Sequence, residues 1–144
     1  MPDSGPHAWR DERSAAAAAH GEALERRRTG ETAQARALIA DFVRAAGARG
    51  PEPVPLRARS YDGRSRYRTP LTGWYLRRNE SVAVATDGEF YVLSVPRSLR
   101  ALLAGTSVPP SDPPLILGKG GRDGESIDLA DALGIALGDQ PRRT

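Results

Sequence analysis

The chain has no cysteine, which excludes disulfides, thiolate metal sites and cysteine nucleophiles. Its only histidines, His7 and His20, have no carboxylate pattern around them. Imidazole metal ligation and serine–histidine chemistry therefore find no constellation to build on, and the expectation is no metal, no cofactor and no catalytic residue. No apolar run approaches the roughly 18 residues that cross a bilayer. Met1–Arg13 is polar and lacks a signal-peptide core, which predicts a cytoplasmic protein with no membrane partner.

Lysine is almost missing too: Lys119 is the only one among 21 basic residues, the rest being Arg. Together with abundant Ala, Gly and Pro this looks like coding bias in a high-GC genome. Arg richness alone is therefore a weak argument, and its distribution has to carry the reading. Between Arg57 and Arg78 seven Arg face one Asp, a local balance of +6, whereas from Ser111 to Asp139 six acids face Lys119 and Arg122, a balance of −4.

Gly73–Val95 carries the clearest pattern. Three runs rich in Val, Tyr, Phe and Trp are separated by Asn79-Glu80 and Asp87-Gly88, predicting an antiparallel meander over Gly73–Arg78, Ser81–Thr86 and Glu89–Val95. Two-residue turns would pair Arg78 with Ser81 and Thr86 with Glu89. Trp74, Leu76, Ala83, Ala85, Phe90 and Val92 then share the main core face, and Tyr75, Arg77, Val82, Val84, Tyr91 and Leu93 the other. Leu56–Thr72 alternates more weakly, and Asp62-Gly63 is the turn signal for a fourth strand before the meander.

Glu31–Ala46 reads as the best helix, because Ala35, Leu38, Ile39, Phe42, Val43 and Ala46 recur at helical spacing. Its stripe matches the Trp74/Phe90 face. Thr29 would cap it and Gly47 would follow its end. Ser14–Arg28 has helical composition with Leu24 as its only large apolar residue. It either continues that helix as a solvated arm or forms a separate helix for a partner. Arg97–Ala104, with Leu99, Leu102 and Leu103 on one side, and a helix after Asp128, with Leu129, Leu133, Ala136 and Leu137, complete the set.

The predicted fold is α+β: a three- to four-stranded antiparallel meander packed by an N-terminal amphipathic helix, with two short C-terminal helices. Residues 14–138 form one small domain, with a Pro-rich linker at 48–55 and a Pro-rich connector at 106–114. Composition leaves 1–13 as a disordered tail and 139–144 as a loose one.

Two stretches are candidates for binding. The first interleaves Arg57, Arg59, Arg64, Arg66, Arg68, Arg77 and Arg78 with Tyr61, Tyr67, Trp74 and Tyr75, a pattern suited to an acidic partner, either protein or nucleic acid, the rings offering stacking platforms. No RNP, KH or helix-turn-helix signature accompanies it. The second is Gly118–Gly124, where Lys119, Gly120, Gly121 and Arg122 lie between a strand candidate and a helix, a setting that suits a small anion or phosphate, with or without turnover. It is not a P-loop, since Gly120 follows Lys119 where Ser or Thr belongs.

The order ETAQARALIADFVRAA, GWYLRRNESVAVATDGEFYVLSVP, a Pro-rich link and a C-terminal LADAL helix resembles uncharacterised small proteins of high-GC actinobacteria across Glu31–Gly138. The resemblance implies no activity and no binding residues. The leading expectation is a non-enzymatic binding or adaptor protein using the Arg57–Arg78 surface, and the alternative is an anion-binding domain using the Gly-rich loop. Oligomeric state stays open.

Overall fold

The computed structural model describes residues 6–118 and 125–138. A single helix, α1 (Pro6–Arg49), precedes a five-stranded sheet built from β1 (Val54–Ser60), β2 (Arg66–Tyr75), β3 (Val82–Ala85), β4 (Phe90–Val92) and β5 (Ser94–Val95). After it come α2 (Leu99–Ala104), a small pair β6 (Ile116–Leu117) and β7 (Ile127–Asp128), and α3 (Leu129–Ala136). The sheet order is β4-β3-β2-β1-β5, antiparallel except where β5 runs parallel to β1. The α+β class stands, with five strands in place of three or four.

The apolar stripe of α1 packs where expected. Ala35, Ile39, Phe42 and Ala46 meet Trp74, Leu76, Val84 and Phe90, and Leu129, Ala132 and Leu133 of α3 close the same cluster. Phe42 stands edge-on to Trp74, ring centres 5.2 Å apart at 88°. N-terminal to Ala35, the first core residue of the stripe, the helix runs without cover: every residue from Trp9 to Glu31 is exposed, an arm on the order of 35 Å at 1.5 Å per residue. The arm begins at Pro6, inside the stretch where composition predicts a tail. Thr29 lies mid-helix and caps nothing, and the helix passes Gly47 to end at Arg49. Gly50 takes φ +82 and returns its N–H to the Ala46 carbonyl, which fits the αL residue after a helix and before a proline.

The meander's register departs from the two-residue turns. Trp74 lies opposite Val84 and Val82 opposite Val92, so each hairpin is one residue longer in its loop. Each three-residue loop ends in a left-handed residue, Glu80 (φ 60) in the first and Gly88 (φ 82) in the second. Two slips of one residue cancel for the outer strands and invert the middle one. Trp74, Leu76 and Phe90 keep the α1 face, but Val84 joins them there, while Ala83 and Ala85 turn to the opposite face with Leu56, Tyr91 and Leu93. That second face is covered within the chain by Leu71, Tyr75 and Val108.

The β1–β2 hairpin confirms the fourth strand, its turn formed around Asp62 and Gly63 (φ 73). β1 starts at Val54, inside the expected linker. In the Pro-rich connector Pro113 is fully buried and Ser111 donates its N–H to the Phe90 carbonyl, so this segment is part of the core edge, not merely surface.

Candidate functional site: an arginine face on the first hairpin

The register of β1 and β2 decides which basic side chains meet. Arg57 lies directly opposite Arg68 and Arg59 directly opposite Arg66, with the Ala58–Tyr67 pair between them. Alternation sends Ala58 and Tyr67 into a buried cluster with Ala101 and sends the four arginines to the other side. Directly opposed residues on one face have Cβ atoms about 4.5–5.5 Å apart, so the four side chains leave the strands as a two-by-two basic array.

Few neighbours neutralise it. Arg66 Nη2 lies 3.6 Å from the Glu80 carboxylate, Arg59 Nη1 donates to the Asn79 carbonyl at 2.9 Å, and Arg68 Nη2 donates to the Leu103 carbonyl at 3.1 Å. Arg59 Nε is buried and without a hydrogen-bond partner. Glu80 is the only carboxylate among the described residues in an ion pair with the array, so four positive charges face one negative. Arg57 and Arg68 remain exposed.

At the hairpin tip Asp62 is held below the usual carboxylate range, first by the Ser60 hydroxyl donating at 2.5 Å, then by the Arg64 N–H at 3.0 Å and the positive charges of Arg97 and Arg64. That network fixes the turn and leaves Arg64 exposed beside the array.

The remaining candidates separate. Tyr67 is 1% exposed, and its hydroxyl accepts the Ser98 N–H at 2.9 Å, so it is a core residue and cannot meet a partner. Its place between Ala58 and Ala101 follows from strand alternation. Trp74 is buried and donates from its indole to the Pro51 carbonyl, and Tyr75 is half-buried with its hydroxyl accepting the Arg57 N–H. Of the four rings, only Tyr61 stands out in solvent, 71% exposed. Arg78 is exposed in the β2–β3 loop, while Arg77 turns away and donates to the Glu125 carbonyl at 2.9 Å.

Arg77 thus reaches the base of the Gly-rich loop: a Cβ on Gly118 (φ 80) would collide with its guanidinium. Lys119, Gly120, Gly121 and Arg122 themselves lie outside the described residues. Among the described residues, no group of three or more His, Asp or Glu is placed to hold a metal ion. No helix among them is long and apolar enough to cross a membrane.

The signal for the array was present in the alternations Arg57-Ala58-Arg59 and Arg66-Tyr67-Arg68, which put Arg out and the apolar residue in once the two strands are paired. Compared with family models, curated proteins and solved structures, the chain matches none.

Proposed function

We propose that this chain is a non-enzymatic binding protein whose Arg57/Arg59/Arg66/Arg68 face docks an acidic segment of another protein. The observation that carries this reading is the pairing of like charges. Arg opposite Arg, twice in succession, is a destabilising arrangement in an antiparallel sheet, and a counter-charged partner relieves it. The burial of Tyr67 and Trp74 leaves Tyr61 as the one fully exposed ring of the four, where single-stranded nucleic acid stacks successive bases on several, and this favours a protein partner.

The test is fluorescence anisotropy with a labelled oligo-glutamate peptide and with single- and double-stranded DNA and RNA, across roughly 50–200 mM salt. Binding to the acidic peptide that weakens with salt and is abolished by Arg57→Glu with Arg66→Glu supports the proposal. Nucleic-acid binding with the same dependence on those arginines would reassign the partner class. No binding at the lowest salt, or binding indifferent to the double variant, would remove the basic face from the function.

A further inference from the structure

A second feature of the surface, separate from the arginine array, is the ridge on α2. Leu99, Leu102 and Leu103 are 75%, 46% and 83% exposed, and at this spacing they share one side of the helix. Only Ala101 turns inward. The ridge is firmly held: the Ser98 hydroxyl accepts the Ala101 N–H at 3.1 Å, and Gly105 returns its N–H to the Ala101 carbonyl at 2.9 Å. Arg100, exposed, and Arg97, exposed and 3.8 Å from the Asp62 carboxylate, flank the leucines, so the ridge is apolar with a basic margin at Arg100.

The complementary chemistry occurs on another side of the same molecule. Ile116 is the cross-strand partner of Asp128, and Asp128, Asp131 and Ile135 recur at i, i+3 and i+7 along the outer side of β7 and α3. All four are exposed, Ile116 at 38% and Ile135 at 50%, and among the described residues neither Asp is engaged in an ion pair. The two patches do not overlap, because α2 packs on Ala58 and Tyr67 whereas α3 packs on α1.

We propose that the α2 leucine ridge of one copy docks on the Ile116/Asp128/Asp131/Ile135 patch of a second copy. Leucines meet isoleucines and Arg100 meets the two aspartates, so apolar and charged groups match in one placement. The contact is head-to-tail: each copy retains one free ridge or one free patch, and association continues into larger species or a closed ring. Arg57, Arg59 and Arg66 take no part, which leaves the basic face available to its own partner.

Sedimentation velocity of the full chain from about 10 µM to about 1 mM tests this, a range that spans weak self-association. The expected result is a sedimentation coefficient that rises with concentration, less so at high salt. Leu103→Glu and Asp131→Arg each alter an exposed side chain, and each should weaken self-association by at least about tenfold, with circular dichroism showing the fold intact. Mixed in equal amounts they should form a one-to-one dimer that neither forms alone, because one keeps the patch and the other the ridge. A chain that stays monomeric throughout, variants that associate like the parent, or a mixture as monomeric as its components would each overturn the proposal. Binding to phosphatidylglycerol vesicles that is lost with Leu103→Glu, in a chain that does not self-associate, would reassign the ridge to a membrane surface. Arg57→Glu with Arg66→Glu should leave self-association unchanged, so failure of the basic-face reading and failure of this one are read separately.

Discussion

Replacing Phe42 with alanine should remove the key contact between α1 and the sheet. Phe42 is 2% exposed and edge-on to Trp74 at 5.2 Å. Truncating a buried Phe costs about 3–5 kcal/mol, of which the ring pair itself supplies roughly 0.5–1.5. The wall of the resulting cavity is poorly able to refill it, since Ala35 and Ala46 are small and Val84 sits on a paired strand. The upper half of the range is therefore expected, about a quarter or more of the roughly 5–15 kcal/mol that holds a typical domain. In melting temperature that is a drop on the order of 10–20 °C. Urea titration followed by far-UV circular dichroism and tryptophan fluorescence measures it, with Trp74 reporting on the core while Trp9, 60% exposed on the arm, stays nearly silent. Leu24→Ala on the same helix is the control and should change stability by less than about 0.5 kcal/mol, because Leu24 is 43% exposed and away from the core. A Phe42→Ala loss below about 1 kcal/mol with an unchanged denaturant slope would refute the packing of α1 on the Trp74 face.

Gly73→Ala should destabilise by about 1–3 kcal/mol or more, because its Cβ would collide with the Val84 and Ala85 backbone on the neighbouring strand; thermal melts read it. Glu80→Gly should stabilise by up to about 1 kcal/mol, since Glu80 holds φ 60 and its ion pair with Arg66 is partly solvated; an unchanged or lower urea midpoint would count against the three-residue loop. Burial, and then the hydrogen bond its hydroxyl donates to Asp87 at 2.6 Å, pushes the Tyr91 phenol up to about 12. The folded chain then holds that proton more tightly than the unfolded one, so the contribution is complete below about pH 10 and is lost as pH rises from about 10 to 12. Tyr91→Phe should flatten the alkaline limb of a urea-midpoint profile. Arg57→Glu, which turns a like-charge pair with Arg68 into an opposite one, should raise stability by about 0.2–1 kcal/mol while weakening partner binding.

What could be read from the residues alone tracks how local each determinant is. The stripe Ala35, Ile39, Phe42, Ala46 is a property of one helix, and its match to Trp74 and Phe90 followed from apolar faces needing cover. The hairpin registers depend on whether a loop holds two residues or three. At Asp87-Gly88 the glycine suits either solution, and at Asn79-Glu80 the left-handed position falls on Glu80, a residue type that seldom signals it. The sheet-face assignment of Phe90 was right only because the second slip undid the first. β1 was obscured by Pro51, Pro53 and Pro55, yet Pro55 is accommodated next to a register shift between Pro55 and Arg57, where a missing N–H is tolerated. α2 was legible as a helix with its leucines on one side, but only the docking of Ala101 against Tyr67 shows that this side faces outward.

The arginine face illustrates why a site can be invisible in the composition and evident in the pairing. Along either strand the alternation of Arg with Ala58 or Tyr67 is what a half-buried strand requires, and each strand alone carries no conflict. Conflict arises only when the Asp62-Gly63 turn sets Arg57 against Arg68 and Arg59 against Arg66. A coding bias toward Arg explains the residue type, but it does not explain why acids, which make up 18 of the 144 residues, are missing from all four facing positions. Cross-strand pairing gains from opposite charges, so a sheet shaped by stability alone would have placed at least one carboxylate there. Within the chain Arg66 has the Glu80 carboxylate, and Arg59 and Arg68 have the Asn79 and Leu103 carbonyls, but one carboxylate does not balance four guanidiniums, and that excess points to a demand from outside the chain. In the proposed reading that demand is a counter-charged surface, and the tip network of Ser60, Asp62 and Arg64 fixes the turn that carries the array.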